Sequence, residues 1–323
     1  MSSQTVTETS AQSKAGQATS QSITLSGEDL LYPQGFTFFH NRVGHFEGQE
    51  EPIKKIRYPK FRNFEHERAF RKLHHAAALR WLGSQGYGNE GAGGHMTVRD
   101  PELLDHFWIN PFGKSLNHMT PDDLVLVNDK GVVVGGNMHS VNPAGFYIHS
   151  AVHQARPDVH AVVHMHTIAG KAFSAFGKEI EMYNQDCCQF FEQQTVFPAF
   201  DGFVLAADEG VAIAKALGPT NKAIILQNHG LLVVGRSPDG AAFTFGALER
   251  CIEAQFKTEA LAQVAGFEPM RISPEMARGV QKYYVDEFQY MTFQPAFEDV
   301  IRASNGLLPM QTGDEICPAW NAS

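Results

Sequence analysis

Residues 161–170, AVVHMHTIAG, set two histidines two positions apart at the end of a run of small apolar residues. In a strand, residues i and i+2 face the same side, so His164 and His166 project together, as two ligands of one ion must. Imidazole nitrogens bind Zn²⁺ or Fe²⁺ at about 2.0–2.2 Å, and a pair on one strand meets that geometry without strain. Taken alone, such a pair more often sits on a wet sheet face. A third histidine changes the balance. In IILQNHGLLVV, His229 follows a buried-reading strand, in a turn shared with Asn228 and Gly230. Site residues concentrate on loops carried by rigid scaffolds. Three histidines on neighbouring strand ends would form a three-nitrogen site with open positions, which suits a catalytic metal better than a structural one.

The chain carries 15 histidines, and His139, His149, His153 and His160 crowd the same span as the pair. His149 and His153 stand four apart on a helix pattern. That spacing could hold a metal, but it reads better as hydrogen-bonded support for the ligands. His160 shares the strand face of the pair but lies farther from its tip. Cys187 and Cys188 do not make a zinc pattern, because adjacent residues of a strand point to opposite faces; they read as packing thiols. With four cysteines and no secretion signal, reduced thiols and a cytoplasmic location are the simpler expectation.

The elements that must position these residues are legible from period and punctuation. FEHERAFRKLHHAAALRWLGSQG has helical spacing and closes on glycines. HMTVRD, FWINPFG, DLVLVND and GVVVGG are short β-rich runs between Pro, Gly and Asp. NPAGFYIHSAVHQARP is a helix with Pro143 in its first turn. HAVVHMH returns to a strand, DEGVAIAKALG is a helix, and KAIILQNHGLLVVG reads as strand–turn–strand. A long helix runs from the Ser237 cap to Gly266. The expected organisation is a disordered tail (1–24), an aromatic N-terminal arm (25–64), a metal domain (65–266) and a C-terminal extension (267–323). Mixed strands and helices with hairpin-like pairs predict an α/β domain on a largely antiparallel sheet.

Composition narrows the function classes. A net charge of −9 supplies no basic stripe for a phosphate backbone, so no nucleic-acid partner is expected. No apolar run approaches the roughly 20 residues of a membrane span, so no membrane partner is expected either.

GNEGAGGHMTVRD, WINPFG, NPAGFYIHSAVHQARPDVHAVVHMH and LQNHGLLVVG occur in an order that resembles the class II aldolase/adducin head domain family. The resemblance implies a three-layer α/β/α sandwich around a largely antiparallel sheet, commonly a homotetramer with active sites at subunit boundaries. By position, His164, His166 and His229 match the family's three metal ligands. The metal implied is divalent, zinc first, with iron or manganese as alternatives, stabilising an enolate in C–C cleavage.

Two departures from the family pattern limit what carries over. The aldolase catalytic glutamate, four residues before His149, is Gly145 here, and the phosphate-gripping serines before it are Pro143 and Ala144. A phosphate-binding asparagine is replaced by His95. Glu90, His95, Tyr183 and Asp186 are the candidates for the missing proton-transfer role; the structural alternatives are a solvated carboxylate, a packed ring and a turn cap. Glu249 is expected in a surface or subunit salt bridge. The leading expectation is a metal-dependent lyase, retro-aldol or decarboxylating, acting on a small non-phosphorylated carbonyl or carboxylate substrate. A mononuclear iron oxygenase and a non-catalytic adducin-like assembly protein are the alternatives.

Overall fold

Asn63 opens the first long helix, α1 (Phe64–Ser84), by accepting a hydrogen bond from the His66 backbone at 2.9 Å. Glu65 and Glu67 in its first turn complement the helix dipole. The computed structural model describes residues 58–88, 93–200, 202 and 207–309. It also describes two short strands, β1 (Gln4–Thr7) and β2 (Ser22–Leu25), which pair antiparallel within the stretch expected as a tail. The rest of that tail, the aromatic stretch of the arm and Glu90 lie outside the described residues.

Eight strands form the central sheet: β3 (His95–Arg99), β4 (His106–Ile109), β5 (Val125–Asn128), β6 (Val133–Gly136), β7 (Ala161–Met165), β8 (Gln194–Phe197), β9 (Ala223–Leu226) and β10 (Gly230–Gly235). Their order is β6-β5-β4-β3-β7-β10-β9-β8, and every pair is antiparallel except β8 with β9.

Alternation along β7 and β10 sorts side chains to two cores. Val163, Met165, Leu231 and Val233 face α1 and α5 (Pro238–Ala265), meeting Leu79, Leu82, Phe245 and Leu248. Val162, Leu232 and Val234 face the other way, onto α2 (Pro143–Ala155) and α4 (Ala207–Leu217), through Ile148, Val152, Ile213 and Leu217. This is the expected three-layer α/β/α sandwich. Each layer buries one apolar face of a strand whose two sides both read hydrophobic.

The caps match their sequence signals: Ser237 accepts from the Gly240 backbone at 3.0 Å, and Gly266 ends α5 at φ 73°. Three further helices, α3 (Ile168–Ser174), α6 (Pro274–Gln281) and α7 (Asp286–Ala303), complete the described chain. The extension is not a free appendage, since Phe293 and Ile301 of α7 enter the same core as α1 and α5. The last residues of the arm pack on its own chain: the Tyr58 ring meets Phe70 at 5.6 Å and Tyr290 at 5.1 Å, both edge-on.

Asp100 ties the first helix to the sheet. Its fully buried carboxylate accepts from Arg68 at 2.6 and 2.9 Å, from Trp108 Nε1 at 2.9 Å and from the Glu102 and Leu103 backbones at 3.0 Å. Burial alone would raise its pKa, but these donors outweigh it and hold the group at about 2, below its ordinary 3.8. A carboxylate depressed in the folded state stabilises above its unfolded pKa and loses that contribution as the pH falls through the folded one. Asp100→Asn should therefore cost about 2 kcal/mol at neutral pH. Urea titrations at stepped pH should show the gap to wild type closing between about pH 4 and pH 2.

Candidate metal centre

The β7 ladders set the site. His164 stands opposite Leu232 of β10 on one side and opposite His95 of β3 on the other. Its Nδ1 lies 2.9 Å from the Leu231 carbonyl oxygen. A carbonyl can only accept, so Nδ1 carries the proton and Nε2 presents its lone pair. His166 follows the last ladder pair, Met165 with Leu231, and its Nε2 lies 3.1 Å from Nε2 of His164.

His229 comes from the β9–β10 turn, where Asn228 takes a positive φ of 55° and the His229 backbone donates to Leu226 at 3.0 Å. Asparagine is among the few residues that adopt this region readily. Gly230 is required by close approach, since a Cβ there would lie 2.8 Å from the Met165 carbonyl oxygen. The turn thus comes down onto the end of β7. One ligand atom from each of the three histidines lies within 4.8 Å of the others.

The donor set fits a divalent ion. Two nitrogens bound to one ion at about 2.0–2.1 Å stand about 2.9–3.4 Å apart for angles between square and tetrahedral, and the 3.1 Å separation falls in that window. Burial, reinforced by His229 and His166, pushes His164 well below the ordinary imidazole pKa. Burial and His166 bring His229 down to about 4. Both are neutral at pH 7, the form that binds metal.

His95 is the fourth imidazole. Its Nδ1 is buried and has no hydrogen-bond partner among the described residues. A Cβ on Gly145 would lie 2.6 Å from that nitrogen and 2.7 Å from Cγ, so the ring of His95 fills the space where a side chain at 145 would begin. Burial, then His166 and His229, lowers its pKa to about 4. Behind it, His149 Nδ1 and His153 Nε2 each lie 2.8 Å from Thr97 Oγ1, whose single proton can serve only one of them at a time. These two histidines support the strand and are not drawn into the trio.

Of the other candidates, Tyr183 and Asp186 stand apart from this cluster. Tyr183 lies beneath the Arg271 guanidinium, 5.4 Å from its ring centre. Asp186 is exposed and lines a different cavity with Asn184, Arg250 and Tyr284. The reason is long-range: Glu181 pairs with Arg271 at 2.9 Å and Met182 O accepts from the Ile272 backbone at 2.8 Å, which draws the segment to the extension. Cys187 and Cys188 sit in a 3₁₀ turn (Asp186–Phe190) rather than a strand. Together with Cys251 they are buried free thiols in the main core.

The expected surface salt bridge of Glu249 is also corrected. Its residue is only 2% exposed, and its carboxylate accepts from Thr167 Oγ1 at 2.6 Å and from the Ala169 backbone at 3.3 Å. The middle of α5 is covered by the sheet and its neighbouring helices, so no solvent-facing pair forms there.

A cavity of about 450 Å³ opens on the trio and His95. Three residues with no sequence signal strong enough to single them out line it: Asn142, Lys171 and Phe200. Lys171 is the one charged side chain among the described lining residues. It sits five positions past His166, on the helix that Thr167 caps, so a search along that helix would have found it. The Phe200 ring lies 6.2 Å from that of His229.

The sequence profile of the Class II Aldolase and Adducin N-terminal domain matches residues 74–256. Decarboxylase NovR of Streptomyces niveus is 43% identical over 220 residues, covering 68% of this chain and 79% of that protein. A protein of Streptomyces roseochromogenus subsp. oscitans named 4-hydroxy-3-prenylphenylpyruvate oxygenase/4-hydroxy-3-prenylbenzoate synthase is 42% identical over 220 residues, covering 68% and 77%. The solved L-fuculose 1-phosphate aldolase from Glaciozyma antarctica PI12 superposes with a TM-score of 0.70 at 37% identity, over 78% of this chain and 97% of that one. The profile spans all three histidines and the strands that carry them, and the chain belongs to the class II aldolase and adducin N-terminal domain family.

Proposed function

We propose that the chain is a metal-dependent carbon–carbon lyase that decarboxylates a small, non-phosphorylated oxo or hydroxy acid. The observation that carries this reading is a cavity in which three imidazoles converge beside one lysine, with a fourth imidazole where a side chain at 145 would start. His164, His166 and His229 would hold the ion, zinc first, with iron or manganese as alternatives. A divalent ion there would act as a Lewis acid on a carbonyl or carboxylate oxygen.

The chain's own residues do the rest. Lys171 brings a positive charge to the wall of the cleft, which favours a carboxylate substrate. Phe200, Ile148 and Ala144 give an apolar wall to the remainder of the substrate. A carboxylate that departs as CO₂ leaves its bonding electrons on the carbon, so the step needs no general base, only a proton donor afterwards. His95, buried beside Gly145, is placed to relay that proton from solvent, its neutral ring taking a proton on one nitrogen as it gives one from the other. Tyr183 and Asp186 are not among the described residues that line the cavity. Family membership supports a small-molecule substrate and a homo-oligomer.

A second reading rests on the relative named as an oxygenase: the same trio with iron, cleaving a carbon–carbon bond at the expense of O₂. One measurement separates the two. Protein purified without chelators or added metal is analysed for its elements, and CO₂ release from a panel of 2-oxo acids is followed in air and under argon. Zinc or manganese with equal release under argon supports the lyase; iron with release only in air supports the oxygenase. Absence of stoichiometric metal removes both.

Two substitutions test the assigned residues. Lys171→Met removes a charge-assisted contact worth about 1.5–3 kcal/mol, so KM should rise at least about tenfold with kcat little changed. Gly145→Ala places a methyl against His95 and should lower kcat by about a hundredfold while metal content stays at wild-type level.

A further inference from the structure

His164 and His229 are each held by backbone: one within two ladders and through its Leu231 contact, the other in a closed turn. His166 lies one residue past the last ladder pair, where the sheet no longer fixes it. The next residue, Thr167, is 4% exposed, accepts from the Gly170 backbone at 3.2 Å and donates to Glu249 at 2.6 Å. The other oxygen of Glu249 accepts from the Ala169 backbone at 3.3 Å, so one carboxylate grips both ends of the turn that leaves His166. Glu249 reaches it from 82 residues away in sequence, on a 28-residue helix whose flanking Leu248 and Ile252 are fully buried. A buried carboxylate costs several kcal/mol of desolvation, and only its hydrogen bonds offset that cost. It is thus an expensive way to fill space and a stiff way to hold a turn.

We propose that Glu249, acting through the Thr167 hydroxyl, is a positioning residue that fixes His166 for metal binding. This rests on the reading of the three histidines as ligands. Partners one shell removed from a metal typically contribute ten- to a hundredfold in affinity. The carboxylate touches neither the ion nor the cavity; its effect travels through one side-chain hydrogen bond and one peptide unit.

The test measures zinc affinity of the full chain by competition with a chromophoric chelator, and the visible absorption of the cobalt-substituted protein. Thr167→Val, which keeps the shape and removes the donor, should weaken zinc at least about tenfold and alter the cobalt spectrum. Thr167→Ser, which restores the hydroxyl, should bind within about threefold of wild type. Glu249→Gln, which presents an amide to the Ala169 N–H, should fall with Thr167→Val, and the double variant should be no weaker than either alone. Wild-type zinc binding with unchanged affinity in Thr167→Val overturns the proposal and leaves the metal reading intact. Equal losses in Thr167→Val and Thr167→Ser overturn it as well, by reducing the residue to packing. A wild-type chain that takes up no zinc overturns both.

Discussion

The antiparallel register of β7 between β3 and β10 is the constraint on which the site depends. It sets His164 opposite His95 on one flank and opposite Leu232 on the other, and it places the β9–β10 turn over the end of β7. Strand periodicity is two, so a slip of one residue would turn His164 toward α1 and α5 and carry Met165 to the polar side. The register is held by alternation into two cores: Val163 and Met165 are buried on one face, Val162 on the other. A slip would thus expose or mismatch every side chain of a fully buried strand. The same packing that stabilises the sheet fixes the spacing of the nitrogens.

Burial then sets their chemistry. Imidazoles crowded together in a poorly solvated place cannot all be charged, and each disfavours protonation of the next. His95, His164 and His229 are all pushed below the ordinary value, burial being the largest cause in each case. Such a cluster is unfavourable as an empty arrangement of lone pairs and favourable around a cation. The adjoining Lys171 adds a positive charge to the wall of the same cavity.

Much of this was legible in the sequence, and the boundary of legibility has a physical basis. The histidine trio could be read because each member carries a local signature: period two for His164 and His166, and a glycine-flanked turn for His229. The helix caps at Ser237 and Gly266 and the largely antiparallel α/β sheet follow from the same local rules, whereas the three-layer sandwich came from the family resemblance. Tyr183 and Asp186 were expected beside the trio but do not line its cavity in the described chain, since the Glu181–Arg271 pair and the Ile272 contact, which join residues about 90 apart, draw their segment to the extension. Glu249 looked like a surface charge because a carboxylate on a helix usually is one; only the helix's tertiary cover makes it a buried acceptor. The two adjacent cysteines read as a strand because apolar neighbours surround them, whereas backbone bonds from Cys188 to Gln185 and from Phe191 to Cys188 wind them into a turn. Lys171 and Phe200 carried no pattern at all. They become site residues only when the turn and the helix close over the same space.

The exchange at position 145 shows how one fold can change chemistry without changing its frame. A glutamate on α2 would bring its carboxylate in from the helix layer, on a side chain with several rotatable bonds. Glycine there gives that volume to His95, which arrives from the sheet on a strand paired directly with the one that carries His164. The proposed proton-transfer group and a metal-ligand candidate then share one ladder, and their separation is set by strand spacing rather than by helix docking. An imidazole whose pKa burial lowers to about 4 is a weak base for taking a proton from carbon. It suits better a step in which a departing carboxylate releases the electrons and the neutral ring relays a proton from solvent afterwards. The loss of the carboxylate and the gain of the imidazole are one change in physical terms, and both support the proposed decarboxylation.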